Sequence, residues 1–254
     1  GIFVHPVETG AALRSFQRKV AEASEELAVA LKHDDQQPIL NNNYGLSQIE
    51  LGSYDAALNH FTRALQQKSD FHQVHYHLGY AYALKKRIDL AAPEWEQTAK
   101  LEPKFVDCHV NLGIAYYLLE KLEPAVTEFR RVLTMRHEQP EDFSNLGMAY
   151  AKQGILLRKD SKKKGDRRDI EAAAKFNLAV GQFDLAIAIK PNDVIVHSNR
   201  GLACFFCGRF EEAFEEWSKI ARLDPEYAKK RGDLTHESVF DEACMIFATM
   251  DIMQ

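Results

Sequence analysis

The sequence is short of several things. Four cysteines in 254 residues do not build a disulfide framework and point to a reducing compartment. No apolar run approaches the ~18 residues of a membrane-spanning helix, and no basic start followed by an apolar stretch marks a secretory signal. Basic residues do not dominate either. Lys and Arg number 32 against 37 Asp and Glu, a net charge of -5, which argues against a general nucleic-acid binder. No glycine-rich phosphate loop, catalytic serine motif or carboxylate pair stands out, so neither enzymatic activity nor a cofactor is expected. What is present, 46% hydrophobic and 27% charged residues, is the composition of a globular chain with a sizeable core. The expected location is the cytoplasm, for the chain alone or as the cytoplasmic part of a larger or anchored protein.

Self-similarity is the strongest positive signal. The segments HLGYAY, NLGIAY and NLGMAY place Gly79, Gly113 and Gly147 at intervals of 34 residues, and one further interval back falls on Gly45. The next copy, at Gly201, comes 54 residues after Gly147, an excess of 20. Each copy reads as two helices. The first has apolar residues at helical spacing, such as Leu112, Ile114, Ala115 and Leu118. The second carries a small residue followed four positions later by a large aromatic: Ala57 and Phe61, Ala91 and Trp95, Ala125 and Phe129, Ala179 and Phe183, Ala213 and Trp217. That spacing puts both on one helix face and reads as core patterning. The glycine lets the paired helices approach closely.

On these residues the chain resembles the tetratricopeptide repeat family, with its Leu-Gly-x2-Tyr, Ala-x3-Phe and Pro pattern. Leu78, Gly79, Tyr82, Ala91, Trp95 and Pro103 match in one copy; Leu112, Gly113, Tyr116, Ala125 and Phe129 match in the next. Five repeats are read, at 38–71, 72–105, 106–139, 140–193 (with the 20-residue insertion) and 194–227. The family pattern is broken by Tyr44 and Gln48 in the first repeat, by His137 in the third, and by Arg200 and Cys204 in the fifth. The resemblance implies an all-α fold, a right-handed α-solenoid of helix-turn-helix repeats. The segment 1–37 is expected to supply a capping helix from Ala11 to Lys32, and 228–254 a second one over 238–250, because stacked repeats leave raw apolar ends.

The excess of 20 residues follows Gly154 and includes LLRKDSKKKGDRRD. From Arg158 to Arg168 seven basic residues stand against two acidic ones, a local charge of +5. A longer surface loop costs only ~0.6 kcal/mol per doubling of its length. The insertion is therefore expected to lengthen both helices, with a tip near 161–166. The first reading is a solvated hairpin; the second is a basic docking finger carried by Lys162, Lys163, Lys164, Arg167 and Arg168 for an acidic partner or anionic lipid. Interleaved stacking aromatics are missing, so a specific nucleic-acid contact is not expected.

In the family, first helices line a concave face that binds peptides. Carried onto this chain, the sixth repeat position reads Asn43, His77, Asn111, Asn145 and Asn199. Carboxamides offer two donors and an acceptor, which suits a peptide main chain. Tyr76, Tyr80, Tyr117, Met148 and Phe206 are the apolar candidates beside them. Asp107 and Glu141 stand where relatives that clamp acidic C-terminal tails carry basic residues, so no such clamp is expected. The implied ligand is an extended or helical segment with apolar anchors and some basic character.

Two other groups read as structural. His75, His109 and His197 share one repeat position and are too far apart to share a metal at ~2 Å. Cys204 and Cys207 lie inside a helix, where buried thiols act as small apolar residues. The expected function is a non-enzymatic scaffold or adaptor that binds a protein partner, peptide or helix, in the groove. The alternative is a structural module that self-assembles through its terminal helices or convex face. Membrane contact is not expected.

Overall fold

Among the residues that the computed structural model describes, 10–161 and 166–226, all regular structure is helical. The segment 238–250 and the side chains of Lys162, Lys163 and Lys164 lie outside these residues. The chain divides into two units, one up to Leu119 and one from Glu120 onward.

In the first unit, α1 (Gly10–His33) packs against α2 (Pro38–Glu50), where Gln48 donates to the buried Ser24 hydroxyl at 2.8 Å. Helices α3 (Tyr54–Gln67), α4 (His72–Leu84), α5 (Ile88–Leu101) and α6 (Val106–Leu118) follow. Each packs on its neighbour in sequence. Two core clusters result. Phe61 fills one, with Ile49, Val74 and Leu78; Trp95 fills the other, with Cys108 and Leu112.

The second unit holds α7 (Leu122–Met135), α8 (Pro140–Lys159), α9 (Arg167–Ile189), α10 (Val194–Phe206) and α11 (Phe210–Leu223). Pro38 and Pro140 open α2 and α8 at positions where a missing N–H costs nothing. Asp193 caps α10 by accepting from the Ile195 and Val196 amides.

The recurring glycine is explained by what faces it. A Cβ at Gly45 would stand 2.5 Å from the Phe61 ring, one at Gly79 2.7 Å from Trp95 Nε1, and one at Gly147 2.7 Å from the Phe183 ring. The same holds at Gly201 against Trp217, at 2.8 Å. In these four repeats the aromatic of the second helix thus lies directly on the backbone of its first helix. The period-34 glycine and the period-34 aromatic are one contact seen from two sides.

The turns between paired helices also repeat. Gly52, Lys86, Glu120 and Gly208 all have positive φ, between 58° and 84°. After α2, α4 and α10 the next amide reaches back to the third residue from the helix end: Ser53 to Gln48, Arg87 to Tyr82, and Arg209 to Cys204, at 2.8 to 2.9 Å. This left-handed C-cap satisfies carbonyls that the helix end would leave unpaired. Gly154 occupies the same position in its repeat, yet α8 runs through it to Lys159. The extension continues into a longer second helix, α9, of 23 residues. Phe176 of that extension lies 2.9 Å from where a Gly154 Cβ would be. The insertion thus lengthens the hairpin and repeats its glycine-against-aromatic packing.

Helix α9 is long and apolar enough to cross a membrane by length and composition alone. Lys175 and Asp184 interrupt its apolar stretch, and the helix packs against α8 and α10.

Candidate partner-binding surface

In the first unit, α2, α4 and α6 carry the sixth-position residues. The structure pairs two of them, His77 and Asn111, with the fifth position of the repeat before. His77 Nδ1 donates to Asn42 Oδ1 at 2.9 Å, and Asn111 Nδ2 donates to the Tyr76 hydroxyl at 3.1 Å. The ladder thus cross-links successive first helices. Its signal in the sequence is polar pairs spaced 35 residues apart, 42 with 77 and 76 with 111, which sequence reasoning passed over.

The candidate residues divide by exposure. Asn43 is exposed, and His77, Tyr76 and Tyr80 are half-buried, whereas Asn111 and Tyr117 are buried. In the second unit Asn145 is half-buried, whereas Met148, Asn199 and Phe206 are buried. Phe206 stacks on Phe176 of α9 with ring centroids 5.1 Å apart, so its side chain belongs to the core. Close helix packing explains the five buried side chains: bulky groups at these positions are held by adjacent helices.

The open part of the first unit has a definite chemistry. Tyr76 and Tyr80 stand one turn apart on α4, and the exposed Asp107 and Glu50 act on them. Burial pushes the Tyr76 phenol up to about 12, with the Asp107 charge adding to it. Burial also raises Tyr80, followed by the Glu50 charge. The His77 imidazole beside them is held down at about 4 by burial. The surface therefore presents phenol rings between carboxylates, with a neutral imidazole at neutral pH.

The histidines at repeat position four have a structural role. His75 Nδ1 lies 2.7 Å from Glu94 Oε2 while its Nε2 lies 3.0 Å from the Ser69 carbonyl oxygen. His109 reaches the Pro103 carbonyl at 3.0 Å, and His197 reaches both Glu216 and the Pro191 carbonyl. These rings tie the loop before a first helix to the repeat that follows. Among the described residues no group of three or more His, Cys, Asp or Glu is placed to hold a metal ion. Cys204 is buried, and burial pushes its thiol up to about 12, so at neutral pH it is a protonated apolar group rather than a nucleophile.

Arg200, where the family has leucine, is held by three carboxylates: Asp184 at 2.5 Å, and Glu212 and Glu216 at 2.9 Å each. It joins α9, α10 and α11. Of the basic run, Arg158 is absorbed by the hairpin, donating to the Phe206 carbonyl at 2.6 Å and lying over the Phe176 ring. Arg167 pairs with Glu171 at 2.7 Å and Arg168 with Asp160 at 3.3 Å. Both of these are exposed pairs, of the kind that contributes little to stability.

Glycine-seated aromatics, left-handed turns and cross-linked first helices define a helix-turn-helix repeat protein. The tetratricopeptide repeat family profile matches residues 44–104. Those residues are tetratricopeptide repeat, and the described helices have the fold of that family. No curated protein sequence matches the chain. Among solved structures, YrrB, described as a TPR protein with an unusual peptide-binding site, superposes with a TM-score of 0.67 at 19% identity, over 82% of this chain and 99% of its own. A MamA structure gives a TM-score of 0.64 at 17% identity, over 78% and 97%. MamA from Desulfovibrio magneticus RS-1 gives 0.63 at 15% identity, over 74% and 96%.

Proposed function

We propose that this protein is a non-catalytic interaction scaffold whose first helices bind a segment of a partner protein. The observation that carries the reading is the Tyr76–Tyr80 surface of α4, flanked by the carboxylates of Asp107 and Glu50. Phenol faces attract cations, with a contribution of about 0.5 to 2 kcal/mol per contact, and nearby carboxylates add to that preference. The segment it fits is an extended or helical peptide with apolar anchors and Lys or Arg between them. The peptide-binding site ascribed to YrrB supports the same use of this fold. Asn43 and His77 border the surface, and Asn43 has an exposed carboxamide for the ligand's main chain.

The test is selection of peptides from a random display library, followed by titration of the winners against Asp107→Lys with Glu50→Lys. Basic, aromatic or aliphatic peptides should be enriched, and the double reversal should weaken them at least tenfold with unchanged helicity. Enrichment of acidic peptides, or binding indifferent to both reversals, would sink the reading.

A further inference from the structure

Helix α9 is apolar on two opposite faces. One face, centred on Phe176, Ala179 and Phe183, is fully buried and packs in the second unit, where α9 contacts α8 and α10. The other looks away from them, and there Ile170, Leu178, Leu185 and Ile189 are 63%, 45%, 47% and 44% exposed. Between these lie the exposed small residues Ala174, Gly181 and Ala188. At 3.6 residues per turn all seven fall within an arc of about 100°; Glu171 stands at its edge, at the same angle as Ile189, and pairs with Arg167. The second helices α3 and α7 differ: α3 turns Asp55, Asn59, Thr62, Arg63 and Gln66 outward, and α7 turns Glu123, Thr127, Arg130, Arg131 and Thr134 outward, whereas α11 also exposes Phe210, Phe214 and Leu223. A helix that is apolar all round is normally buried all round, so among the described residues α9 lacks a cover on this face.

The pattern on the face identifies the cover. Leu178 and Leu185 are seven residues apart, as are Ala174, Gly181 and Ala188, and each small residue leads a leucine by four or follows one by three. These are the a and d positions of a heptad seam, leucines at a and small residues at d. In an antiparallel pair, a positions face d positions. One register then sets Leu178 against Gly181 of a second copy and Leu185 against Ala174 of that copy. The two-fold axis repeats both contacts, so both leucines of each copy meet holes made by small residues. An isologous two-fold contact requires this self-complementarity.

We infer that this outward face of α9 is the interface between two copies of the chain, paired antiparallel through the Leu178/Gly181 and Leu185/Ala174 layers. The seam from 170 to 189 is about 29 Å long, and with a helix width of about 10 Å it covers about 300 Å² on each copy. That is within the range of the largest apolar patch on an ordinary monomer and less than the ~800 Å² per partner of a standard interface. Pairing is therefore weak and concentration-dependent.

Sedimentation equilibrium of the full chain, from about 5 to 200 μM, tests this. The mass should rise from 28.9 kDa toward twice that value. Leu178→Glu with Leu185→Glu should hold the chain at the monomer mass over the whole range, a shift of at least tenfold in the dissociation constant, with unchanged circular dichroism. Gly181→Leu is the second variant. Nothing lies within 4 Å of its Cβ position, so the chain folds, but the added side chain fills the hole for Leu178 of the other copy and association is lost. Asp107→Lys with Glu50→Lys should self-associate like the parent, which separates this interface from the peptide reading. A wild type that stays monomeric overturns the inference, as does a dimer that survives both α9 variants. A monomer destabilised by the two glutamates would mean that the chain covers this face itself. Flotation of wild type with phosphatidylcholine vesicles, without self-association, would assign the face to a membrane.

Discussion

Gly79→Ala and Gly181→Ala are the same chemical change with opposite expected signs. Both glycines lie inside helices, α4 and α9, so both substitutions gain the helix propensity of alanine, about 1 kcal/mol. At Gly181 nothing lies within 4 Å of the new methyl group, and the gain stands alone. At Gly79 the methyl would sit 2.7 Å from Trp95 Nε1, and the ring must retreat by about 0.7 Å to reach ordinary contact distance. Trp95 is buried, and its Nε1 donates to the Tyr76 carbonyl at 3.1 Å, so retreat strains a hydrogen bond as well as the core. Overpacking costs about 1 to 3 kcal/mol and the weakened hydrogen bond up to about 1 kcal/mol. Net of propensity, Gly79→Ala should destabilise by about 1 to 3 kcal/mol. For a chain of this size each kcal/mol moves the melting temperature by about 2 to 4 °C. Thermal melts followed at 222 nm should show Gly181→Ala melting about 2 to 4 °C higher than the parent. Gly79→Ala should melt lower by about 2 to 12 °C. If Gly79→Ala rises like Gly181→Ala, the close approach of α4 and α5 is not what the glycine is for.

Two further outcomes follow from buried polar groups. Burial holds His77 at about 4, against about 6.5 for a free imidazole, so between these values the unfolded chain binds a proton that the folded chain refuses. Its stabilising contribution is complete above about pH 6.5 and is lost as pH falls toward 4, amounting to about 2 to 3 kcal/mol in all. In urea titrations at pH 7 and pH 4.5, His77→Gln should reduce this acid loss; an unchanged difference would exclude His77 as its source. Arg200→Ala strands Glu216, Glu212 and Asp184 around an empty centre and should cost about 3 kcal/mol in chemical denaturation. A loss under about 0.5 kcal/mol would show that the cluster is worth no more than an exposed ion pair.

Much of the fold was legible because it is periodic. Gly79 and Trp95, or Gly147 and Phe183, recur at fixed intervals, and a repeat contact leaves its spacing in the chain. The lengthened hairpin was readable for the same reason: Gly154 falls on the turn position, yet the apolar pattern runs on past it. The binding surface was less legible. Asn111 and Asn43 occupy one repeat position, but one is buried against Tyr76 and the other is exposed. That difference arises from which neighbour stands before each helix, and residue type does not carry it.

By itself, then, the sequence determined the helix-turn-helix repeat, the small-against-large packing of its pairs and the place of the insertion. These depend on contacts between residues of one repeat, 16 positions apart in the case of Gly79 and Trp95. Tertiary structure alone decided which ladder residues are bound to one another, which carboxylates flank Tyr76 and Tyr80, and that α9 carries a second apolar face turned outward. Those outcomes depend on which surfaces successive helices leave uncovered. A leucine on α9 has the same hydropathy whether it faces α8 or solvent, and only the packed neighbours distinguish the two.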